Sequence, residues 1–303
     1  MKVYSITEKE LNKFASFSQD STNFGKTVKS LWDDGLSLPK WCFIMEEEGK
    51  TVGRIGYWAP SDNKKNIYIF GLLLPWERNN AQLIGQELLN KSLQVMKMQG
   101  AKSVDCQVHS DDDNSFFMSK KIYEAIGMEQ IQSKKSFIIS DRLYEFKNEN
   151  RLFYKSLREV GARLFIKTIQ EVTKATLDQE DKLSALNLGV EEAAKDYFSI
   201  LKSIDYSIDN WYIGYRNNKC IGLIIPQKLK DNVGAINYIG VIPEERGNGY
   251  VVDLLNKGIK NLFSRDIGKV IADIDELNFP MENALLKAGF KEKKKILVYR
   301  LTL

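Results

Sequence analysis

Apolar positions along the chain fall into short bursts, and the order of the bursts occurs twice. The run 67–74 is apolar almost throughout and stops at Pro75; the run 236–242 stops in the same way at Pro243. Runs of this length bounded by turn residues read as buried strands. Three residues after each proline stands an arginine, Arg78 or Arg246, followed by an apolar pair within a helical pattern, Leu88-Leu89 or Leu254-Leu255. Each half then gives a strand candidate, 103–108 or 269–274, an asparagine, Asn114 or Asn278, a short helix, and Gly127-Met128 or Gly289-Phe290. An apolar strand closes each half, at 136–139 and 296–299. Earlier in each half a strand pair surrounds a turn, at 48–50 and 216–219.

A repeated order of this kind signals two similar units. Each reads as helices, a hairpin, then strand, helix, strand, helix, strand. The class is therefore α/β (α+β), with two domains in tandem, each a mixed sheet flanked by helices. The polar stretch 144–150 marks the boundary, giving domains 1–148 and 149–303. Beyond it, residues 152–174 carry apolar side chains at three- and four-residue steps and read as a helical pair.

The 303 residues agree with two domains of about 150 residues each. With 43% apolar and 28% charged residues the balance is that of a soluble globular protein. No stretch approaches about 18 consecutive apolar residues, and the start lacks an apolar core followed by a small-residue cleavage site. These features predict a cytoplasmic protein with no membrane partner. A net charge of +4, with lysines and acids interspersed, does not indicate nucleic acid, and the run Lys293-Lys294-Lys295 reads as a solvated turn. Cys42, Cys106 and Cys220 have neither disulfide nor metal-ligand spacing, and read as small buried hydrophobes. His109 is the only histidine, which excludes a histidine metal cluster and a histidine-based triad in the second half. The run Asp111-Asp112-Asp113 reads as a solvated loop, so no metal is expected. Gly25-Lys26-Thr27 and Gly49-Lys50-Thr51 lack the upstream glycine of a nucleotide loop, where Asp20 and Ile44 stand.

The turn Arg246-Gly247-Asn248-Gly249-Tyr250-Val251 is different. Holding a pyrophosphate requires several backbone N–H groups aimed at one point and little side chain in the way, as a glycine turn entering a helix provides. Gly247 and Gly249 permit the approach and the following helix adds its dipole and unpaired amides. A tight strand-to-helix turn without a ligand would suit the same glycines.

The stretch from Val241 to Gly249 resembles the acetyl-coenzyme A signature of the GNAT N-acetyltransferase superfamily, whose core is Arg or Gln, two residues, Gly, one residue, then Gly or Ala. Asp275-Glu276-Leu277-Asn278-Phe279-Pro280-Met281, ending in Lys287-Ala288-Gly289-Phe290, resembles the family's second signature. The resemblance covers residues 163–303 well and 1–141 in outline. It implies two GNAT-like domains whose sheets are mostly antiparallel. It also implies an N-acetyltransferase that takes acetyl-coenzyme A as acyl donor and a primary amine of a small molecule or peptide as acceptor. On the matching positions, Arg246, Gly247, Asn248, Gly249, Tyr250 and Val251 would surround the pyrophosphate. Ile239, Gly240 and Val241 would offer backbone groups to the pantetheine arm and the acyl carbonyl. Asn278 would bond the pantetheine or cap the next helix.

Two positions depart from the family pattern. Val251 stands where Gly or Ala is usual, and Leu285 where many members carry a tyrosine that protonates the departing thiolate. Solvent or another tyrosine, such as Tyr250, would have to serve instead. The implied chemistry is attack of a neutral amine on the thioester, with a base removing a proton and backbone amides stabilising the oxyanion. Asp273 and Asp275 alternate on one strand and so share a face, where they could bind a cationic amine or assist its deprotonation; a solvated strand end is the other reading.

In the first half the turn Arg78-Asn79-Asn80-Ala81-Gln82-Leu83 has no glycine, although Tyr123 to Met128 resembles the tyrosine-bearing end of the second signature. That half reads as a degenerate, cofactor-free copy that packs against the second and walls the acceptor site. Two alternatives remain beside the acetyltransferase reading. One is a non-catalytic acyl-coenzyme A binder or interaction protein. The other uses an aminoacyl-tRNA donor, against which the intact turn and the absence of a basic block both speak.

Overall fold

The computed structural model describes residues 1–16, 20–60, 64–110, 113–140, 151–229 and 232–303, which form two compact units. Unit 1 is Met1–Ser133 with Ile296–Leu303, and unit 2 is Lys134–Lys295.

Unit 1 runs β1 (Lys2–Ser5), α1 (Leu11–Ala15), α2 (Ser21–Asp33), β2 (Cys42–Glu47), β3 (Lys50–Trp58), β4 (Asn66–Leu73), α3 (Ala81–Met98), β5 (Ser103–His109) and α4 (Asp113–Ala125). Neighbouring strands from β1 to β4 pair antiparallel, and β4 pairs parallel with β5. The last partner of β5 is β12 (Lys291–Thr302), whose Ile296 lies opposite His109 and whose Thr302 lies opposite Ser103. Two apolar clusters fill the unit. One joins α3 to strands β2 to β5 and to Leu297 and Tyr299; the other joins Phe14 and Val28 to Cys42 and Ile44.

Unit 2 takes the far part of β6 (Glu129–Ser140), then β7 (Phe153–Ser156), α5 (Leu157–Thr173), α6 (Gln179–Leu188), α7 (Val190–Ile204), β8 (Tyr212–Arg216), β9 (Lys219–Lys228), β10 (Val233–Val241), α8 (Tyr250–Phe263), β11 (Lys269–Asp275) and α9 (Phe279–Lys287). Its pairings mirror those of unit 1. β7 to β10 are antiparallel in sequence order, β10 is parallel to β11, and β11 is antiparallel to β6. Helices α8 and α9 cover one core, while α5 and α7 contribute Phe165, Ile169 and Phe198 to another around Trp211.

The sequence repeat is thus a repeat of sheets, with one exchange. Residues 134–140 complete unit 2, and 296–302 complete unit 1. The division at 148 and 149 read from sequence assigns both strands the other way. Phe137 and Ile139 alternate like Leu297 and Tyr299, and all four are buried. Period-2 alternation specifies a half-buried strand without naming its sheet. The polar stretch 144–150 lies outside the described residues, as do Asp111 and Asp112.

Two local readings change. Residues 153–156 are strand; the expected helical pair follows as the two segments of α5, started by a Ser156–Glu159 capping box and meeting at a kink at Gly161, where φ is 76°. The lysines 293–295 lie within β12. Gly25-Lys26-Thr27 is inside α2. The two hairpin turns are as expected: Glu48 and Gly49 have φ of 50° and 76°, Asn217 and Asn218 have 48° and 62°, as two-residue hairpins require. Among the described residues no helix is long and apolar enough to cross a membrane.

Candidate functional site

The site begins with a proline. Pro226 in β9 lies opposite Ile236 and has no N–H to donate, and the ladder slips by one residue between Ile236 and Tyr238. The extra residue, Asn237, is held by its side chain, which donates to Gln227 Oε1 at 2.6 Å; the buried Gln227 amide in turn donates to the Leu201 and Asp205 carbonyls. The parallel pairing of β10 with β11 spans only Val233–Ala235. From Tyr238 to Val241, β10 pairs with β9 alone among the described residues, so β10 and β11 part and the β11-facing edge of Ile239, Gly240 and Val241 has no described strand beside it. Close packing is built into this end: a Cβ on Gly240 would lie 2.7 Å from Val172 Cβ, and one on Gly222 would lie 2.1 Å from the Gly240 oxygen.

After β10 a short 3-10 turn over Pro243–Glu245 leads through Arg246, Gly247, Asn248 and Gly249 into α8. Gly247 and Gly249 have φ of 83° and 74°, a region costly to any residue with a Cβ. Residues 246–249 are exposed, and Gly249 is the N-cap with no side-chain cap bond, so the first amides of α8 face outward without intrahelical acceptors. The carboxylate of Asp253 in the first turn is matched by Arg151, which also donates to the Asn248 carbonyl at 3.1 Å. The positive end of the helix therefore remains available to an anion.

The Arg246 side chain points away from that end. Its guanidinium donates to the carbonyls of Val241 (3.0 Å), Val172 (2.9 Å), Lys174 (3.0 Å) and Ala175 (3.1 Å), binding the turn to the end of α5. Tyr250 is buried, its hydroxyl accepting a hydrogen bond from Arg216 and its ring facing Arg151 and Arg216 at 5.2 and 5.6 Å. Val251 packs on the α8 core. Asn278 caps α9, accepting from the Met281 N–H at 3.3 Å. Leu285 is buried in the core. Asp273 is exposed, while Asp275 is 4% exposed and accepts from the Gln179 N–H at 2.7 Å. The three candidate catalytic side chains thus have separate environments: solvent for Asp273, the start of α6 for Asp275, and Arg216 for Tyr250.

Sequence reasoning missed a group beside the parted strands. The Tyr238 hydroxyl bonds Thr173 Oγ1 at 2.8 Å, and its ring meets the Tyr197 ring at a centroid distance of 4.9 Å. Burial, then the charge of Asp181, pushes both phenols above the ordinary tyrosine range. Asp181 itself is pushed up to about 7 by burial and by the charges of Asp178 and Glu180. An aspartate in the first turn of a helix reads from sequence as a dipole partner; only the fold shows what surrounds it.

The corresponding turn of unit 1 is built differently. Its N-cap Asn80 has φ of −96°, and Arg78 pairs with Glu47 at 2.9 Å rather than with a helix end. Beside β4 the buried Arg54 donates to the carbonyls of Phe14, Ala15 and Gly71 and lies 3.8 Å from the Phe24 ring centroid. Tyr123 is packed in the core, where burial pushes its hydroxyl well above the ordinary range. Among the described residues no group of three or more His, Cys, Asp or Glu could hold a metal ion.

Residues 180–290 match the profile of the acetyltransferase (GNAT) family. Unit 2 carries a GNAT-family domain. A GCN5-related N-acetyltransferase from Sphaerobacter thermophilus is similar over 99% of this chain and 95% of its own, at 13% identity and a TM-score of 0.70. A tandem GNAT protein from the clavulanic acid biosynthesis pathway is similar over 99% and 98%, at 12% identity and a TM-score of 0.58. A glucosamine N-acetyltransferase region of a fungal multi-domain β-N-acetylglucosaminidase covers 99% of this chain, which covers 38% of that protein, at 14% identity and a TM-score of 0.65. At these identities the likeness is one of fold, and it includes the tandem arrangement of GNAT domains. No curated protein sequence matches the chain.

Proposed function

We propose that unit 2 transfers an acetyl group from acetyl-coenzyme A to a primary amine of a small molecule or peptide, by direct attack of the amine on the thioester. The observation that carries this reading is the pair of left-handed glycines, Gly247 and Gly249, at an exposed helix N-terminus that follows a strand parted from its neighbour. The residues fit the donor. A Cβ at Gly247 would meet nothing within 4 Å, so the turn is open on the side from which a pyrophosphate would approach, and the amides of Gly249, Tyr250 and Val251 are the groups to receive it. The free edge at Ile239, Gly240 and Val241 would take the pantetheine amides as a strand takes a partner, and a backbone N–H there would receive charge developing on the acyl oxygen. The thioester supplies an activated acyl carbon when bound. Arg246 acts through position, holding the turn while its guanidinium stays on the α5 carbonyls.

Unit 1, whose matching turn has no glycine and whose β4 end is covered by Arg54 and Phe24, is read as the cofactor-free copy. A second reading, binding of acyl-coenzyme A without turnover, is favoured by Leu285, which fills the core where many family members hold a tyrosine. Thiol release from acetyl-coenzyme A, followed with glucosamine, spermidine and a lysine-containing peptide, separates the two. Turnover with at least one amine, lost at least 100-fold in Gly249→Glu, supports the transferase. Binding with no thiol release from any of the three supports the second reading.

A further inference from the structure

The segment joining α5 to α6 bridges the mouth between β10 and β11. At one end Thr173 bonds Tyr238 on β10 at 2.8 Å, and Arg246 holds the Ala175 carbonyl at 3.1 Å. At the other end the Gln179 N–H donates to Asp275 on β11 at 2.7 Å. Asp181 follows two residues later, its carboxylate accepting from Thr176 Oγ1 at a long 3.5 Å. The amides that would normally satisfy an acid at this position are taken: Asp178 Oδ1 accepts from Glu180 N and Asp181 N at 2.9 and 3.0 Å, and Asp275 takes Gln179 N. Asp181 is left close to Tyr197 and Tyr238, whose rings meet tilted at 57° and whose phenols burial and then its charge push up, while the Tyr238 hydroxyl bonds Thr173.

We propose that Asp181 is the base that takes the proton of the attacking amine; this rests on the reading of unit 2 as an acyltransferase. The amine nitrogen bonds the thioester carbonyl carbon and the carbon–sulfur bond breaks. An N–H proton passes to the Asp181 carboxylate and thence to solvent, and the sulfur leaves as a thiolate protonated by solvent. A base is effective when its own ionisation lies near working pH. The charged and titratable groups around Asp181 are Asp178 and Glu180 on its own side of α6, Lys134 from β6, Tyr197 from α7, Tyr238 from β10 and Asp275 from β11. The acids and burial oppose its ionisation, and Lys134 and the Thr176 hydroxyl favour it.

The test uses the full chain, acetyl-coenzyme A, and glycinamide as the amine probe. Thiol release by the wild-type protein is expected to fall on the acid side of about pH 7. Asp181→Asn is expected to bind acetyl-coenzyme A unchanged, to lose about 100-fold or more in kcat, and to lose that acid limb; Asp181→Glu restores both in part. Carbon NMR of the carboxyl keeps the test open should Asp181→Asn misfold. An Asp181 carboxyl ionising in the ordinary aspartate range overturns the inference. So do wild-type rates in a folded Asp181→Asn, or binding with no thiol release. Failure of the wild-type protein to bind acetyl-coenzyme A overturns the acyltransferase reading instead.

Discussion

Arg246 Nη2 donates to the Val172 carbonyl at 2.9 Å, and this bond and its neighbours tie the glycine turn to the end of α5. One side chain therefore positions both the groups proposed to receive phosphate and the segment that carries Asp181. Arg246→Ala leaves the three α5-end carbonyls and that of Val241 to solvent. Because the guanidinium is exposed, the expected loss is modest, about 1–3 kcal/mol in urea unfolding. Arg246→Lys should recover little of it, since an ammonium cannot span the same fork of carbonyls. Affinity for acetyl-coenzyme A should fall in both variants. Unchanged stability in Arg246→Ala would show that the clamp is not formed in solution.

Gly222 and Gly258 both lack room for a methyl, for different reasons. A Cβ at Gly222 meets the Gly240 carbonyl oxygen at 2.1 Å, which is backbone, whereas a Cβ at Gly258 meets the tip of Ile224 at 2.5 Å, which can rotate. Gly258→Ala should cost about 1–3 kcal/mol, the usual range for overpacking. Gly222→Ala should cost more and should also disturb the parted end of β10. Denaturant midpoints of the two variants measure the order; equal losses would contradict it.

Asp181 makes stability depend on pH in a direction opposite to that of a salt-bridged acid. Its folded-state value is raised from 3.8 to about 7, burial being the larger cause and Asp178 and Glu180 the next. Between those values the folded chain holds a proton that the unfolded chain has released, so this contribution is present at low pH and is lost as pH rises toward 7. Asp181→Asn, which cannot ionise, should raise Tm relative to the wild-type protein at about pH 8 and give little gain at about pH 4. Thermal unfolding at the two pH values checks the sign; a larger gain at the acid value would contradict the environment described for Asp181.

The elements that were legible in the sequence are those dictated by local physics. Gly247 and Gly249 stand where φ is positive, Asn217 and Asn218 turn a hairpin, and the apolar runs into Pro75 and Pro243 are strands. What escaped depends on partners distant in sequence. The alternation of Phe137 and Ile139 does not say that their strand joins β11, nor does that of Leu297 and Tyr299 say that theirs joins β5. The bulge at Asn237 arises because Pro226 happens to lie across from Ile236. Residues 153–156 alternate too briefly to be told from the helix they precede. The alternation of Asp273 and Asp275 offers an amine-binding face or a solvated strand end, and does not show that α6 places the Gln179 amide against Asp275.

Titration of acetyl-coenzyme A into the intact protein and into Gly249→Glu by calorimetry tests the central claim most directly. The substitution sets an anion at the open helix N-terminus, where a Cβ would lie 3.6 Å from Arg151 Nη2. The account predicts one site per chain, located in unit 2, with binding abolished by the substitution and unit 1 contributing none. Binding that survives Gly249→Glu, or no binding to the intact protein, would contradict it.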